Sequence, residues 1–231
     1  MLEESFEQLD QEQCAAYLKR LKLPQEECTL EFLDRLIRRH LEEIPFENLD
    51  LVRTHELIST DLDTVYKKII QGKRGGYCFE LNALFLGLLR GLGYQAYPVA
   101  CRVLRRPGLR MPTHRASVVC ADGKKYFCDV GYGGFACVRA ALMEPGVVTH
   151  TDFGSFYFER ECAGWLNFWH KGEKLRIQIA GHYIREGWFE PLAWDTDNHG
   201  RQIIYTGGQY ESFIQVPVIP PKYKAGEYVY R

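Results

Sequence analysis

The segment "KRGGYCFELN", residues 73–82, sets one cysteine, Cys78, directly after a Gly-Gly break and at the head of a strongly helical run. A thiol in the first turn of a helix meets unpaired backbone N–H groups and the positive end of the helix dipole. Both favour the thiolate, the reactive form of cysteine. The same N–H groups are donors for an oxyanion formed at an acyl carbon. Such a nucleophile needs a base, and the base needs a group that orients it. Both are found further along the chain. "ADGK" at 121–124 reads as a two-residue hairpin turn that pairs Ala121 with Lys124. That register sets Ala116 opposite Asp129 and places His114 diagonal to Asp129 on the same face. Diagonal neighbours start roughly 7–8 Å apart at the backbone, within reach of an imidazole and a carboxylate. The rest of that face is Ala116, Val118, Cys120 and Phe127, so the His and the Asp interrupt an apolar surface. A buried carboxylate needs a partner, and His114 is the nearest. Spacing alone therefore points to a Cys78, His114, Asp129 site, against the alternative that each is an ordinary packing residue.

The elements that must carry these residues are legible from periodicity. Ser5 to Leu21 reads as a helix with Leu9, Cys14, Ala15, Leu18 and Leu21 on one stripe and Ser5 and Gln8 spaced as a capping box. Thr29 caps a second helix with Leu33, Leu36, Ile37 and Leu41 inside, ended by Pro45. Asp61 caps a third, with Val65, Ile69 and Ile70 inside and Gly72 at its end. The fourth starts near Cys78, carries Leu81, Leu84, Phe85, Leu88, Leu89 and Leu92 as a stripe, and stops at Gly93. Beyond Gly93 the texture changes. "YQAYPVACRVL", "HRASVVC", "KYFCDV", "SFYFERE", "WLNFWH" and "LRIQIAG" read as strands, and "KGEK" at 171–174 as a second hairpin turn. Helices first and antiparallel strands second is an α+β order.

Composition narrows the function classes. The chain has 231 residues, 46% of them hydrophobic, and a formal net charge of -1. Nucleic acid and anionic membrane leave a basic footprint that such a balance lacks. No run approaches the roughly 20 apolar residues that span a bilayer. The N-terminus "MLEESFEQLDQEQ" is acidic and polar, unlike a secretory or transit signal, so a cytosolic protein is expected. The eight cysteines form no CxxC pair and lack an export signal, so neither a disulfide framework nor a zinc site is expected. His40, His55, His150, His170, His182 and His199 show no metal-ligand spacing, and "GYGGFA" at 131–136 lacks the strand–loop–helix order of a phosphate loop.

With these residues identified, the chain resembles arylamine N-acetyltransferases. "RGGYCFELN" at 74–82, "THRA" at 113–116 and "DVGYG" at 129–133 are similar to three signature segments of that family, and "IPFENLD" at 44–50 to a fourth. The resemblance covers about residues 30–190. It implies a helical bundle over 1–92, a β-barrel over 93–185 and a third lid segment over 186–231, shorter than is usual in the family. It implies Cys78, His114 and Asp129 as a catalytic triad, with Arg74 and Glu80 as ion-pair residues near the thiol. Thr113, Tyr132 and Gly133 would line the acceptor pocket. The Arg-rich loop "RRPGLRMPT" departs from the family's small-residue character, and Arg105, Arg106 and Arg110 are expected to meet coenzyme A phosphates or an acidic acceptor. "EPLAWDTDNHGRQIIYTGGQYESFIQVPVI" is similar to the lead into the third domain, and most lid strands and the closing helix are expected to be missing. The activity implied is transfer of an acetyl group from acetyl-CoA, through an acyl-cysteine, to an arylamine, arylhydrazine or related amine. The implied partners are a coenzyme A thioester and a small-molecule amine, without metal, nucleic acid or membrane. An amide synthase of the same fold, a papain- or transglutaminase-like thiol hydrolase and a non-catalytic binding protein remain as alternatives.

Overall fold

The computed structural model describes residues 7–50, 58–103, 114–133, 137–160, 165–171, 176–180, 201–205 and 213–217. Helix α1 spans Gln11–Leu21. Its cap is Asp10, whose carboxylate accepts the Gln13 N–H at 2.8 Å while Gln13 returns its side-chain oxygen to the Asp10 N–H at 3.0 Å. The capping box thus sits five residues later than Ser5 and Gln8; Leu9 precedes the helix and is buried. Helix α2 spans Leu30–Glu43, capped by Thr29. Helix α3, Leu62–Tyr66, is capped by Asp61 and runs straight into a π-helical turn over Lys67–Gln71. Helix α4 spans Cys78–Leu92 and ends at Gly93 in the left-handed region.

The periodicity of α4 predicts one apolar stripe. Every residue from Cys78 to Leu89 is buried instead. The helix is the centre of the molecule: α1, α2 and α3 cover one side, and Ala96, Val119, Cys128 and Val130 from the sheet meet it on the other. Gly91 lies so close to Leu9 and Cys14 that a Cβ there would meet the Leu9 carbonyl at 2.4 Å. Full burial of each large apolar side chain contributes about 1.5–3 kcal/mol, which explains why this helix is the anchor for the residues it carries.

Strands β1 (Gln95–Val103), β2 (His114–Ala121), β3 (Lys124–Cys128), β4 (Ala141–Leu142), β5 (Val148–Thr151), β6 (Gly154–Arg160), β7 (Trp165–Lys171) and β8 (Arg176–Ala180) form one sheet. Its order is β4-β3-β2-β1-β8-β7-β6-β5, with all ladders antiparallel. The short strands β4 and β5 carry too few alternating residues to be read from sequence. The second turn, "KGEK", falls largely outside the described residues, though β7 and β8 pair across it from Trp169 and Arg176. A separate antiparallel pair joins β9 (Arg201–Tyr205) to β10 (Phe213–Pro217).

The sheet is rolled. Phe127 of β3 lies 5.1 Å from Phe168 of β7 and 6.0 Å from Phe158 of β6, centroid to centroid, although three or four strands separate them in sheet order. Val99, Cys101, Ala116 and Val118 fill the same enclosed core. Gly146, just past β4, donates to the Phe158 carbonyl at 3.2 Å and draws the two ends together. Among the described residues no ladder runs between edge strands β4 and β5, so the expected closed barrel is observed as a rolled sheet. Among the described residues every helix lies before residue 93 and every strand after it.

Candidate active site

The start of α4 is built by the Gly-Gly break. Phe46 and Gly76 form a parallel bridge, with Gly76 N–H donating to the Pro45 carbonyl at 3.2 Å and Glu47 N–H to the Gly76 carbonyl at 2.9 Å. "IPFENLD" therefore lies along "RGG". The approach is close enough that a Cβ at Gly75 would stand 2.0 Å from the Pro45 oxygen, so a side chain is excluded. Tyr77 is the extended N-cap residue and Cys78 is the first residue of the helix, 5% exposed.

The hairpin brings the other two residues together. Asp122 and Gly123 both have positive φ, 51° and 71°, and Ala121 pairs with Lys124. This is the two-residue turn and the register read from "ADGK". His114 opens β2 and Asp129 follows β3. His114 Nε2 lies 2.6 Å from Asp129 Oδ2, and both side chains are about 5% exposed or less. Nε2 donates to the carboxylate, which leaves Nδ1 as the ring nitrogen able to exchange a proton with a reacting group. Asp129 is itself held. Its Oδ1 accepts from Gly131 N–H at 2.9 Å and from the Asn82 amide at 3.0 Å.

Asn82 ties this pair to the helix that bears the thiol. It sits one turn after Cys78, fully buried. Its amide donates to the Arg115 carbonyl at 2.6 Å as well as to Asp129, and its oxygen accepts from Val130 N–H at 3.1 Å. Three bonds from one side chain fix the ends of β2 and β3 against α4. Sequence reasoning assigns Asn82 no role, although a signal is present. An amide four residues after the thiol, on the same side of the helix, has to find partners if buried. Gly131 completes the junction. A Cβ there would stand 2.9 Å from Cys78 Cα and 2.7 Å from the Asn82 amide nitrogen, so the backbone after Asp129 lies directly on the head of α4.

Around this group, Tyr132 meets the His114 ring edge-on at 5.6 Å and 88°. Gly133, at φ +75°, lies against the Phe46 ring, which a Cβ would meet at 3.1 Å. Cys101 of β1 is the direct strand partner of His114. Burial pushes its thiol well above the usual range, and the nearby Asp129 and Cys78 push the same way, so Cys101 stays a neutral thiol. Thr113, Arg105, Arg106 and Arg110 lie outside the described residues.

Arg74 and Glu80 are both ion-paired, with different partners. Arg74 bonds Asp50 at 2.5 Å and Glu47 at 2.8 Å. Glu80 takes the Lys68 ammonium at 2.7 Å and 3.0 Å on its two oxygens. Among the described residues no three His, Cys, Asp or Glu side chains gather as metal ligands, and no helix is long and apolar enough to cross a membrane.

Chemically, the structure offers an anchored imidazole–carboxylate couple and, on the helix packed against it, a thiol at the N-terminus. That is the equipment for nucleophilic acyl transfer. Comparison with known proteins gives the family. A family model described as N-acetyltransferase matches residues 29–183. The chain is 34% identical over 140 residues to the arylamine N-acetyltransferase / N-hydroxyarylamine O-acetyltransferase of Salmonella typhimurium, covering 60% of this chain and 50% of that protein. It is 35% identical over 139 residues to the arylamine N-acetyltransferase of Escherichia coli, covering 58% and 49%. The chain spans about half the length of these relatives. The solved structure of the Salmonella typhimurium arylamine N-acetyltransferase superposes with a TM-score of 0.74 and 26% identity, over 85% of this chain and 75% of that one.

Proposed function

The chain belongs to the arylamine N-acetyltransferase family, and from that membership and the site geometry we propose a two-step transfer of an acetyl group from acetyl-CoA to an arylamine, arylhydrazine or related weakly basic amine. Cys78 is the nucleophile, His114 the base and Asp129 its orienting carboxylate. The Cys78 thiol gives its proton to His114 Nδ1, and the thiolate attacks the thioester carbonyl. Backbone N–H groups at the head of α4 stabilise the oxyanion. The bond to the coenzyme A sulfur breaks, and that sulfur takes the proton from the imidazolium. The amine then attacks the acetyl-cysteine and His114 accepts its proton as the C–N bond forms. Cys78 leaves as the thiolate and recovers the proton. Asp129 stabilises the imidazolium in both halves.

The observation that carries this reading is the 2.6 Å His114–Asp129 bond, locked by Asn82 and Gly131 onto the helix turn that begins with Cys78. Tyr132, Gly133 and Thr113 are assigned to the acceptor pocket, and Arg105, Arg106 and Arg110 to the coenzyme A phosphates. Residues 1–92, 93–185 and 186–231 are read as bundle, barrel and lid, in a cytosolic enzyme. The test is mass spectrometry of the intact protein. Incubation with acetyl-CoA should add one acetyl group, mapped to Cys78 and lost on adding an arylamine. A protein that stays unmodified, or whose acetyl group goes only to water, overturns the reading.

A further inference from the structure

Beside the thiol the molecule holds a cluster of five charges that the transfer mechanism does not use. Lys68 stands in the π-helical turn, with its side chain only 12% exposed. Its ammonium reaches both oxygens of Glu80, Asp50 Oδ2 at 3.0 Å, and Glu47 Oε1 at 3.9 Å. Arg74 also pairs with Glu47 and Asp50. Glu80 is the third residue of α4 and its side chain is 4% exposed. Its Oε2 folds back to accept the Tyr77 N–H at 2.8 Å, immediately before Cys78. One carboxylate thus ties the first turn of the thiol's helix to an ammonium from another helix.

We propose that Lys68 is a positioning residue that acts through Glu80: it neutralises that buried carboxylate, and so fixes the head of α4 and sets the charge felt by the Cys78 thiol. This rests on Cys78 being the nucleophile. Burial drives the Glu80 carboxyl above its ordinary value, and the Lys68 charge and hydrogen bond oppose that drift. With all five groups ionised the cluster carries three negative and two positive charges, a net of -1. Removing the ammonium while Glu80 stays ionised leaves a net of -2 near a thiol whose reactive form is itself an anion. Removing the Glu80 charge leaves the cluster neutral. The groups on the thiol's other side, His114, Asp129 and Cys101, are unchanged in either case.

The test is the pH dependence of iodoacetamide alkylation at Cys78, read by peptide mapping on the full chain. Lys68→Met should raise the midpoint by about half to one pH unit, as expected for one charge several ångströms away at an intermediate dielectric. Glu80→Gln keeps an oxygen for the Tyr77 N–H and should lower it. The double variant should return toward wild type, and Lys68→Arg should stay near it. Opposite shifts that cancel are a signature that simple loosening cannot produce, because structural damage moves both single variants in one direction. Midpoints that do not move, or that move together, overturn the inference. If Lys68→Met fails to fold, Glu80→Gln and the double variant still decide the sign. The readout is the thiol and not the acetyl transfer. A wild-type Cys78 that titrates as an ordinary thiol would count against the acyl-transfer reading, while the differences between variants would still be measured.

Discussion

Two buried histidines of this molecule have different partners. His40, in α2, is 0% exposed; its Nδ1 meets the Tyr17 hydroxyl at 2.6 Å and its ring packs edge-on against Phe85. Its Nε2 has no partner among the described residues. Burial lowers its pKa to about 3, and the positive charge of Arg20 acts in the same direction, so the ring is neutral at any physiological pH. His114 is buried almost as well, but a carboxylate stands 2.6 Å from its Nε2. Burial alone makes an imidazole inert, because a charged ring has nothing to replace its water. An anion on one nitrogen is the kind of partner that can stand in for that water. A histidine in a core is therefore a candidate base only when the chain also brings a carboxylate to it.

The sharpest way to break this comparison is to remove each ring. Cys78→Ala or His114→Ala should lower arylamine acetylation by at least about 10³-fold, the scale of losing a nucleophile or its base. His40→Phe should leave turnover within a few-fold and lower stability instead. If His40→Phe abolishes transfer in a folded protein while His114→Ala keeps it, the roles are reversed. Next in size is Asp129→Asn, which keeps the shape and removes the anion. Turnover should fall by about 10²–10⁴-fold, and iodoacetamide should label Cys78 more slowly near pH 6. Wild-type turnover in the Asp129→Asn protein would show that the carboxylate is dispensable, and that His114 differs from His40 for some other reason.

A smaller effect is expected at Asn82. Replacing it by Ala leaves the Arg115 carbonyl, Asp129 Oδ1 and Val130 N–H each short of one bond. Leaving buried groups unsatisfied costs about 1–3 kcal/mol, readable as a lower urea midpoint. Turnover should fall less than in Asp129→Asn, because Gly131 N–H still holds the carboxylate. A larger loss of turnover than for Asp129→Asn would mean that Asn82 itself touches the reacting groups.

What was legible in the sequence follows from the range of the forces involved. The Ala121–Lys124 register depends on two turn residues and sets where His114 and Asp129 start, so local chemistry was enough. The Thr29 and Asp61 caps and the Gly93 stop are local in the same way. The π-turn at Lys67–Gln71 was hidden because Val65, Ile69 and Ile70 also fit a regular helix. The all-round burial of α4 was hidden because Glu80 and Asn82 look solvent-facing until Lys68, Asp129 and Arg115 arrive from elsewhere in the chain. The pairing of Arg74 with Glu47 and Asp50, rather than with Glu80, likewise depends on how "IPFENLD" lies against the Gly-Gly loop. The elements and the His114–Asp129 pair were written locally; the partners of Glu80, Asn82 and Arg74 were not.

The smallest predicted effect isolates His40 through its proton. In the unfolded chain its pKa is near the ordinary 6.5, and in the folded chain it is about 3. Below pH 6.5 the unfolded state therefore binds a proton that the folded state refuses. The sign follows: this contribution is fully present above pH 6.5 and is lost as the pH falls from 6.5 toward 3. Between pH 7.5 and pH 5.5 it removes about 1.4 kcal/mol of stability, roughly one pH unit's worth of a single proton. His40→Phe has no such proton. It leaves Tyr17 without its partner, but burial holds that phenol neutral at both pH values, so the loss is the same at each. Urea unfolding of both proteins at the two pH values gives the difference of differences, in which all other titrating groups cancel. The wild type should lose about 1.4 kcal/mol more than the variant on going from pH 7.5 to pH 5.5. Equal losses would show that His40 accepts a proton in the folded core without any carboxylate beside it, and the contrast with His114 would no longer rest on Asp129.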